Sequence, residues 1–294
     1  MKYAAIDIGS NAVRLIFTNV YHTPEGKQYI KDAMYRVALR LGEESFTRGS
    51  FSKSKIEDML STMKAFKNLI DVHKPRKVMA CATSAMRDAS NSQEIVDLVH
   101  KKTGIQIEII SGQREAEFVL SNHVELYDFK EHTNYLYIDV GGGSTEIILL
   151  SGGKTIAKRS FDIGTLRMCM GKVKDKQWEK LETWLLEINS TYSNIQGIGV
   201  GGNINSIQKL FANSKKTIAT KHTIETTIHK LEKLSIEERI IQYQLKPDRA
   251  DVIVPAAKIF NFIMGKAAIE NLIVPKVGLG DGMIHYMAKS EKNK

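Results

Sequence analysis

An α/β fold in two duplicated domains is what the sequence predicts, and three observations carry that prediction. Strand-like and helix-like segments alternate along the chain, as in sheets covered by helices. One segment occurs twice, as YAAIDIGSNAVRLIF at Tyr3–Phe17 and as YLYIDVGGGSTEIIL at Tyr135–Leu149. At 294 residues the chain is long enough for two domains. A repeat separated by so long a step marks duplicated domains rather than a solenoid, whose repeats run to roughly 20–50 residues. The domains are expected at 1–124 and 125–294, divided in the stretch 124–134, with the last helix free to pack back on the first.

The first repeat reads as strand, tight turn, strand. Residues 2–8 are mostly apolar up to Asp7-Ile8-Gly9-Ser10-Asn11, and Val13–Phe17 resumes the strand pattern. Over 54–70 the residues Ile56, Met59, Leu60, Met63, Phe66, Leu69 and Ile70 recur at helical spacing. A strand at Lys77–Ala82 ends in Thr83-Ser84-Ala85-Met86-Arg87, and a helix near 91–103 is stopped by Gly104. The strand Ile105–Ile110 runs into Ser111-Gly112-Gln113-Arg114-Glu115, which opens another helix. In the second repeat Tyr135–Val140 and Glu146–Leu150 are strands about the turn Gly141–Thr145. Helices are expected at 175–189, 203–212, 223–234, 235–243 and 249–264, and Ser235 with Glu238 has the spacing of a capping box. A buried strand at 271–275 and a helix from about 281 end the chain.

Composition narrows the function classes. With 43% hydrophobic and 26% charged residues the chain is an ordinary globular protein, not a disordered one. No apolar run approaches the roughly 18 residues of a membrane helix, so no membrane association is expected. The apolar start breaks at Asp7 and Gly9 and reads as a strand, not a secretory signal. Two cysteines far apart, Cys81 and Cys169, form no disulfide framework, and the cytoplasm is the expected location. The net charge of +9 favours anionic partners, although such a charge also serves solubility. No basic tail, aromatic ribonucleoprotein signature or Cys/His finger is present, and DNA is not an expected partner. HExxH and GxSxG are both absent, which leaves zinc-hydrolase and serine-hydrolase readings without support.

The candidate chemistry lies in the turns. Glycine lets backbone approach a ligand closely, and successive amide N–H groups in such a turn form an anion-binding concavity. The first turn offers Gly9, Ser10 and Asn11, and the second Gly141, Gly142, Gly143 and Ser144. One such turn alone is more simply a hairpin connection; two matching turns, each led by an acid, point to phosphate. Asp7 and Asp139 end their strands and suit a hard cation such as Mg²⁺. Thr83 and Ser84 place donors at a sheet edge, where α/β ligands sit. Arg87 either holds phosphate oxygens bidentately or pairs with Asp88 at the surface. Glu115 lies in the first turn of its helix, where it also complements the helix dipole. Gly201 and Gly202, in Gly199-Val200-Gly201-Gly202-Asn203, mark a third turn able to seat a phosphate or a nucleoside. Ser151-Gly152-Gly153-Lys154-Thr155 lacks the first glycine of a Walker loop and reads as a hairpin turn.

AAIDIGSNAVRL, ATSAMRDASN, IISGQREAE, YIDVGGGSTEI, GVGGN and RADVIVPAAKIF, in that order, resemble the exopolyphosphatases and guanosine pentaphosphate phosphohydrolases. That family belongs to the actin, sugar kinase and Hsp70 fold superfamily. The similarity runs from Ile6 to about Leu279 and is to the short, two-domain members. It implies two ribonuclease-H-like (actin-like ATPase) domains facing across a cleft. It implies a hydrolase that releases terminal phosphate from polyphosphate or a guanosine alarmone. Glu115, before Ala116, matches the family's catalytic base, and Arg87 its ATSA-x-R arginine. Ser10, Asn11, Arg14 and Gly141–Ser144 match its phosphate loops. Asp139 and Glu146 match acids linked to Mg²⁺ and phosphate. A homodimer is a further expectation. Two departures stand out: Arg114 occupies a place where the family often has glutamate, and Gly280-Asp281-Gly282 replaces a motif with Arg-Glu between its glycines. An ATP-dependent kinase or ATPase of the same superfamily, and a non-catalytic polyphosphate or alarmone sensor, are the alternative readings.

Overall fold

The computed structural model describes residues 1–121, 133–212 and 217–290. The predicted division at 124–134 lies almost wholly outside them. In chain order the first elements are β1 (Lys2–Ile8), β2 (Val13–Thr23), β3 (Gly26–Val37), α1 (Leu41–Arg48) and α2 (Lys53–His73). They are followed by β4 (Lys77–Ala82), α3 (Ser84–Asp88), α4 (Ser92–Thr103), β5 (Ile107–Ile109) and α5 (Gly112–Ser121). Next come β6 (Asn134–Val140), β7 (Thr145–Ser151), β8 (Lys154–Phe161), α6 (Thr165–Cys169), α7 (Asp175–Thr191), β9 (Ile195–Val200) and α8 (Gly202–Phe211). The chain ends with β10 (Ile218–Thr220), α9 (Lys221–Glu232), α10 (Ile236–Tyr243), α11 (Pro247–Ala250), α12 (Ile253–Lys266), β11 (Asn271–Ile273) and α13 (Leu279–Lys289).

Contacts divide the chain into two compact units, Met1–His123 with Gly278–Lys294, and Val124–Val277. The first is built on a sheet of order β3-β2-β1-β4-β5, the second on β10-β11-β9-β6-β7-β8. Read from β8, the second sheet repeats the order of the first and adds β10 at its far edge. In each, an antiparallel three-stranded meander is followed by parallel strands reached through helices. The repeat seen in the sequence is thus the opening hairpin of each sheet.

The central strands are buried on both faces, which is why they read as nearly unbroken apolar runs. Tyr3, Ala4, Ala5 and Ile6 of β1 are buried, as are Leu136 and Ile138 of β6. In the first unit α2 turns Met59, Met63, Phe66 and Ile70 inward, and the Ser52 hydroxyl caps it by accepting from Lys55 N. In the second, Leu149, Trp184, Leu185, Ile204 and Phe260 share one core. Ser235 and Glu238 form the expected capping box at α10. The helix expected over 249–264 is two helices, α11 and α12. Pro255 has no N–H for the carbonyl of Asp251, and its ring would collide with it. That carbonyl instead accepts from the Cys169 thiol at 3.8 Å. Among the described residues no helix is long and apolar enough to cross a membrane.

Candidate active site

In the first unit the singled-out residues lie at the carboxyl ends of β1, β4 and β5, the edge where parallel strands present ligands. The strand ends are laced together: Thr83 N donates to Ile8 O at 3.1 Å, and Ile110 N to Ala82 O at 2.9 Å. Asp7 stands directly opposite Arg14 on the β1–β2 hairpin and accepts from its Nη1 at 2.6 Å. The buried hydroxyls of Ser10 and Ser84 share a hydrogen bond of 2.8 Å. Gly9 closes the turn by donating to Ala12 O at 3.2 Å, and Asn11 O accepts from Arg40 N.

Arg87 sits on α3 just beyond Ser84. Its Nη1 donates to Ile110 O at 2.8 Å and to Glu115 Oε2 at 3.3 Å. One guanidinium therefore ties the end of β5 to the first turn of α5. The Glu115 side chain retains only 12% of its exposure. Asp7 and Glu115 both act on Cys81, in β4 opposite Asp7. Burial first, then the neighbouring Glu108, Asp7 and Glu115 carboxylates, push its thiol up to about 12. That thiol stays protonated at physiological pH and is no nucleophile.

The departure at Arg114 has a packing role. Its guanidinium lies 4.6 Å from the Phe118 ring centroid and 4.9 Å from that of Tyr286 on α13. It also pairs with Glu117 at 3.1 Å. The departure at Gly280-Asp281-Gly282 docks the same helix. Asp281 pairs with Lys31 at 3.0 Å, Gly280 leaves room for Ile16, and Gly282 lies against the backbone of Phe118. The helix carrying Glu115 is thus fixed by α13.

In the second unit Asp139 and Glu146 are register partners on the β6–β7 hairpin, as Asp7 and Arg14 are in the first. Facing positions put both carboxylates on one side of the sheet. Glu146 is buried and accepts from the hydroxyls of Ser144 at 2.7 Å and Ser160 at 2.8 Å. The turn Gly201-Gly202 follows β9, the parallel neighbour of β6. Gly201 has φ of 95°, and a Cβ there would lie 2.9 Å from Asp139 Oδ1. Gly202 lies under the Arg249 guanidinium, which also hydrogen-bonds the Asn203 amide oxygen.

Between Gly141 and Ser144 the loop closes through Gly141 N to Ser144 O at 2.9 Å. Sequence reasoning missed the segment that holds it, Ile163–Arg167. Gly164 and the buried Arg167 lie against the loop backbone, with Arg167 Nε donating to Gly143 O at 2.8 Å. Ser160 was missed as well. The available signal was a glycine in each repeat just past the third strand, Gly42 and Gly164.

Asp7 belongs to the first unit, and Asp139 and Glu146 to the second. Among the described residues no group of three His, Cys, Asp or Glu converges as a ready-made metal cage.

A model of the Ppx/GppA phosphatase family matches residues 33–291. The chain belongs to the Ppx/GppA phosphatase family. Among Ppx/GppA structures, that of the Aquifex aeolicus member has a TM-score of 0.78 at 24% identity, covering 100% of this chain and 99% of that one. An exopolyphosphatase structure from Cytophaga hutchinsonii has a TM-score of 0.84 at 23% identity, covering 99% and 98%. These likenesses establish the fold, in which each unit carries a ribonuclease-H-like sheet of the actin-like ATPase type. Among sequences, the bifunctional 3-dehydroquinate synthase/phosphatase of Fusobacterium nucleatum is 26% identical over 99% of this chain and 47% of its own length. Exopolyphosphatase 1 of Mycobacterium bovis is 29% identical over 50% of this chain and 42% of its own. The chain thus spans less than half the length of these two curated relatives. Exopolyphosphatase 2 of Mycobacterium tuberculosis is 25% identical over 98% of both.

Proposed function

We propose that this Ppx/GppA family member releases terminal orthophosphate from inorganic polyphosphate, with Glu115 as general base. The observation that carries the proposal is the Arg87–Glu115 pair beside the strand ends that hold Ser10 and Ser84. Arg87 positions the carboxylate and supplies positive charge for phosphate oxygens. Relatives in the family are named exopolyphosphatases, which agrees with a phosphoanhydride substrate. Phosphoryl transfer asks the protein mainly for positioning and charge stabilisation. Glu115 takes a proton from water as the water oxygen bonds to the terminal phosphorus. The bridging P–O bond breaks, releasing orthophosphate and a chain one phosphate shorter. Within its own unit each turn, Gly9–Asn11 in the first and Gly141–Ser144 in the second, offers backbone amides and hydroxyls to phosphate oxygens.

Asp139 and Glu146 fit a divalent cation. Oxygen ligands at facing positions of one hairpin suit a hard cation, and the second repeat sets Glu146 where the first sets Arg14. Mg²⁺ needs only one or two carboxylates when water and phosphate complete its shell. Asp139 would hold it, with Glu146 held in place by Ser144 and Ser160. When bound, the ion would supply charge neutralisation at the phosphates.

The test is phosphate release from long polyphosphate, short polyphosphate and pppGpp, with Mg²⁺ and with EDTA. Glu115→Gln is expected to lower kcat by a factor on the order of 10²–10⁴ while leaving the fold intact. Full activity in that variant refutes the base. ATP consumed in step with phosphorylation of a second substrate, without phosphate release, would favour the kinase alternative.

A further inference from the structure

We infer that Arg167 is a positioning residue, fixing the peptide planes of the 141–144 loop so that three successive amides point one way. A trans peptide sets each C=O antiparallel to the N–H of the next residue. Three loop carbonyls in a row are taken by one segment. Gly141 O accepts from Thr165 N at 3.0 Å, and Gly142 O from Leu166 N at 2.8 Å and Arg167 N at 3.1 Å. Gly143 O accepts from Arg167 Nε at 2.8 Å. The N–H groups of Gly142, Gly143 and Ser144 are therefore all directed away from α6. Among the described residues they donate to no protein group. Such a run is a backbone nest for an anion.

The first two peptide planes are held by backbone donors, which any sequence supplies. The third, between Gly143 and Ser144, is held among the described residues by a side chain alone. Arg167 is 9% exposed, so its bond to Gly143 O is shielded from competing water. In the first repeat, backbone donors hold two of the corresponding carbonyls. There Ser10 O accepts from Gly42 N at 2.8 Å and Asn11 O from Arg40 N at 2.9 Å. Arg40 adopts the left-handed φ of 51° there, a conformation uncommon outside glycine.

That phosphate fills this nest rests on the proposed function; the order of the loop does not. The experiment has two readouts on the full chain, native and Arg167→Ala, with thermal unfolding as a check on the fold. Without ligand, the amide resonances of Gly142, Gly143 and Ser144 are expected to be single and sharp in the native protein. In Arg167→Ala, Ser144 and Gly143 are expected to broaden or double, and millimolar guanidinium is expected to sharpen them again. Native-like resonances for a folded Arg167→Ala overturn the positioning role whatever the protein's activity. In the second readout, tripolyphosphate is expected to shift these three resonances in the native protein. Its affinity is expected to drop roughly tenfold to a hundredfold in the variant, as for loss of an ordered set of charge-assisted hydrogen bonds. If the native loop is ordered yet tripolyphosphate leaves it unmoved, the nest assignment and the phosphate reading fall while the positioning result stands. If Arg167→Gln, a neutral donor, restores loop order and affinity, the side chain acts on the loop. If only Arg167→Lys restores affinity, the residue acts by charge and positioning is refuted. Should Arg167→Ala unfold, Arg167→Gln and Arg167→Lys carry the same comparison.

Discussion

Substituting Gly164 by alanine is the sharpest small perturbation available in the second unit. Its backbone is extended, with φ of −140°, so alanine meets no conformational penalty. The obstacle is space. A Cβ at 164 would lie 2.5 Å from both Gly142 O and Gly143 Cα, backbone atoms that no rotamer change can move. Ordinary carbon contacts need about 3.5 Å, so the loop or the α6 segment must retreat by about 1 Å. Overpacking of this kind costs about 1–3 kcal/mol. A misplacement of about 1 Å at a reacting group costs on the order of 10²-fold in rate. The catalytic loss should therefore exceed what the stability loss alone would give. The unfolding midpoint would fall by roughly 2–12 °C, given the slope for units of this size. Phosphate release from polyphosphate, assayed well below the new midpoint, would fall on the order of a hundredfold. A variant with unchanged midpoint and activity within twofold of native would refute the close approach on which this reasoning stands. A large drop in midpoint with activity retained at low temperature would show the packing to be real and the loop position immaterial to catalysis.

Three further outcomes follow from named contacts. Gly282→Ala drives a Cβ into the backbone of α5 at Phe118, with Val119 N only 3.1 Å away; kcat is expected to fall with the midpoint, because α5 carries Glu115, and an unchanged kcat would show that α13 does not position that helix. Glu146→Ala removes the acceptor of two hydroxyls, Ser144 and Ser160; a loss of about 1–3 kcal/mol is expected in denaturant titration, and Glu146→Gln, which keeps an acceptor oxygen, should recover part of it. The Lys2 ammonium, hydrogen-bonded at 2.7 Å, and next the charge of His73 hold the Asp32 carboxyl below its ordinary 3.8. A depressed folded value stabilises above the unfolded value and loses that benefit as pH falls through the folded one. The midpoint difference between native and Asp32→Asn is therefore expected in full above about pH 5, and should shrink as pH falls below the ordinary value and in high salt.

Much of the fold was legible because duplicated domains repeat their most constrained piece. The Asp–x–Gly turns had to keep their spacing, since Asp7 and Arg14, like Asp139 and Glu146, face each other across a hairpin. The third strands, β3 and β8, were not read. β3 is an edge strand with Ile30 and Met34 exposed among lysines, so no period-two alternation marks it. The helix over 249–264 was read as one because its apolar spacing continues through Asp251-Val252, where Pro255 leaves the Asp251 carbonyl without its helical donor. At the candidate site, residue types with evident chemistry (acids, Arg87 and glycines at strand ends) were found from their places in the pattern. What escaped were residues that act on the backbone of others. Nothing in the letters of Arg167 distinguishes a guanidinium held at a loop carbonyl from one at the surface; only its burial and its Nε–Gly143 bond do. A loop of three glycines gains close approach to an anion at the cost of conformational freedom, because glycine restrains its own peptide planes least. Each such loop therefore requires an external frame that consumes its carbonyls. Both repeats provide one from the chain just past the third strand, Arg40–Gly42 in the first and Gly164–Arg167 in the second. In the glycine-richer loop that frame includes a side chain, Arg167, at the third carbonyl.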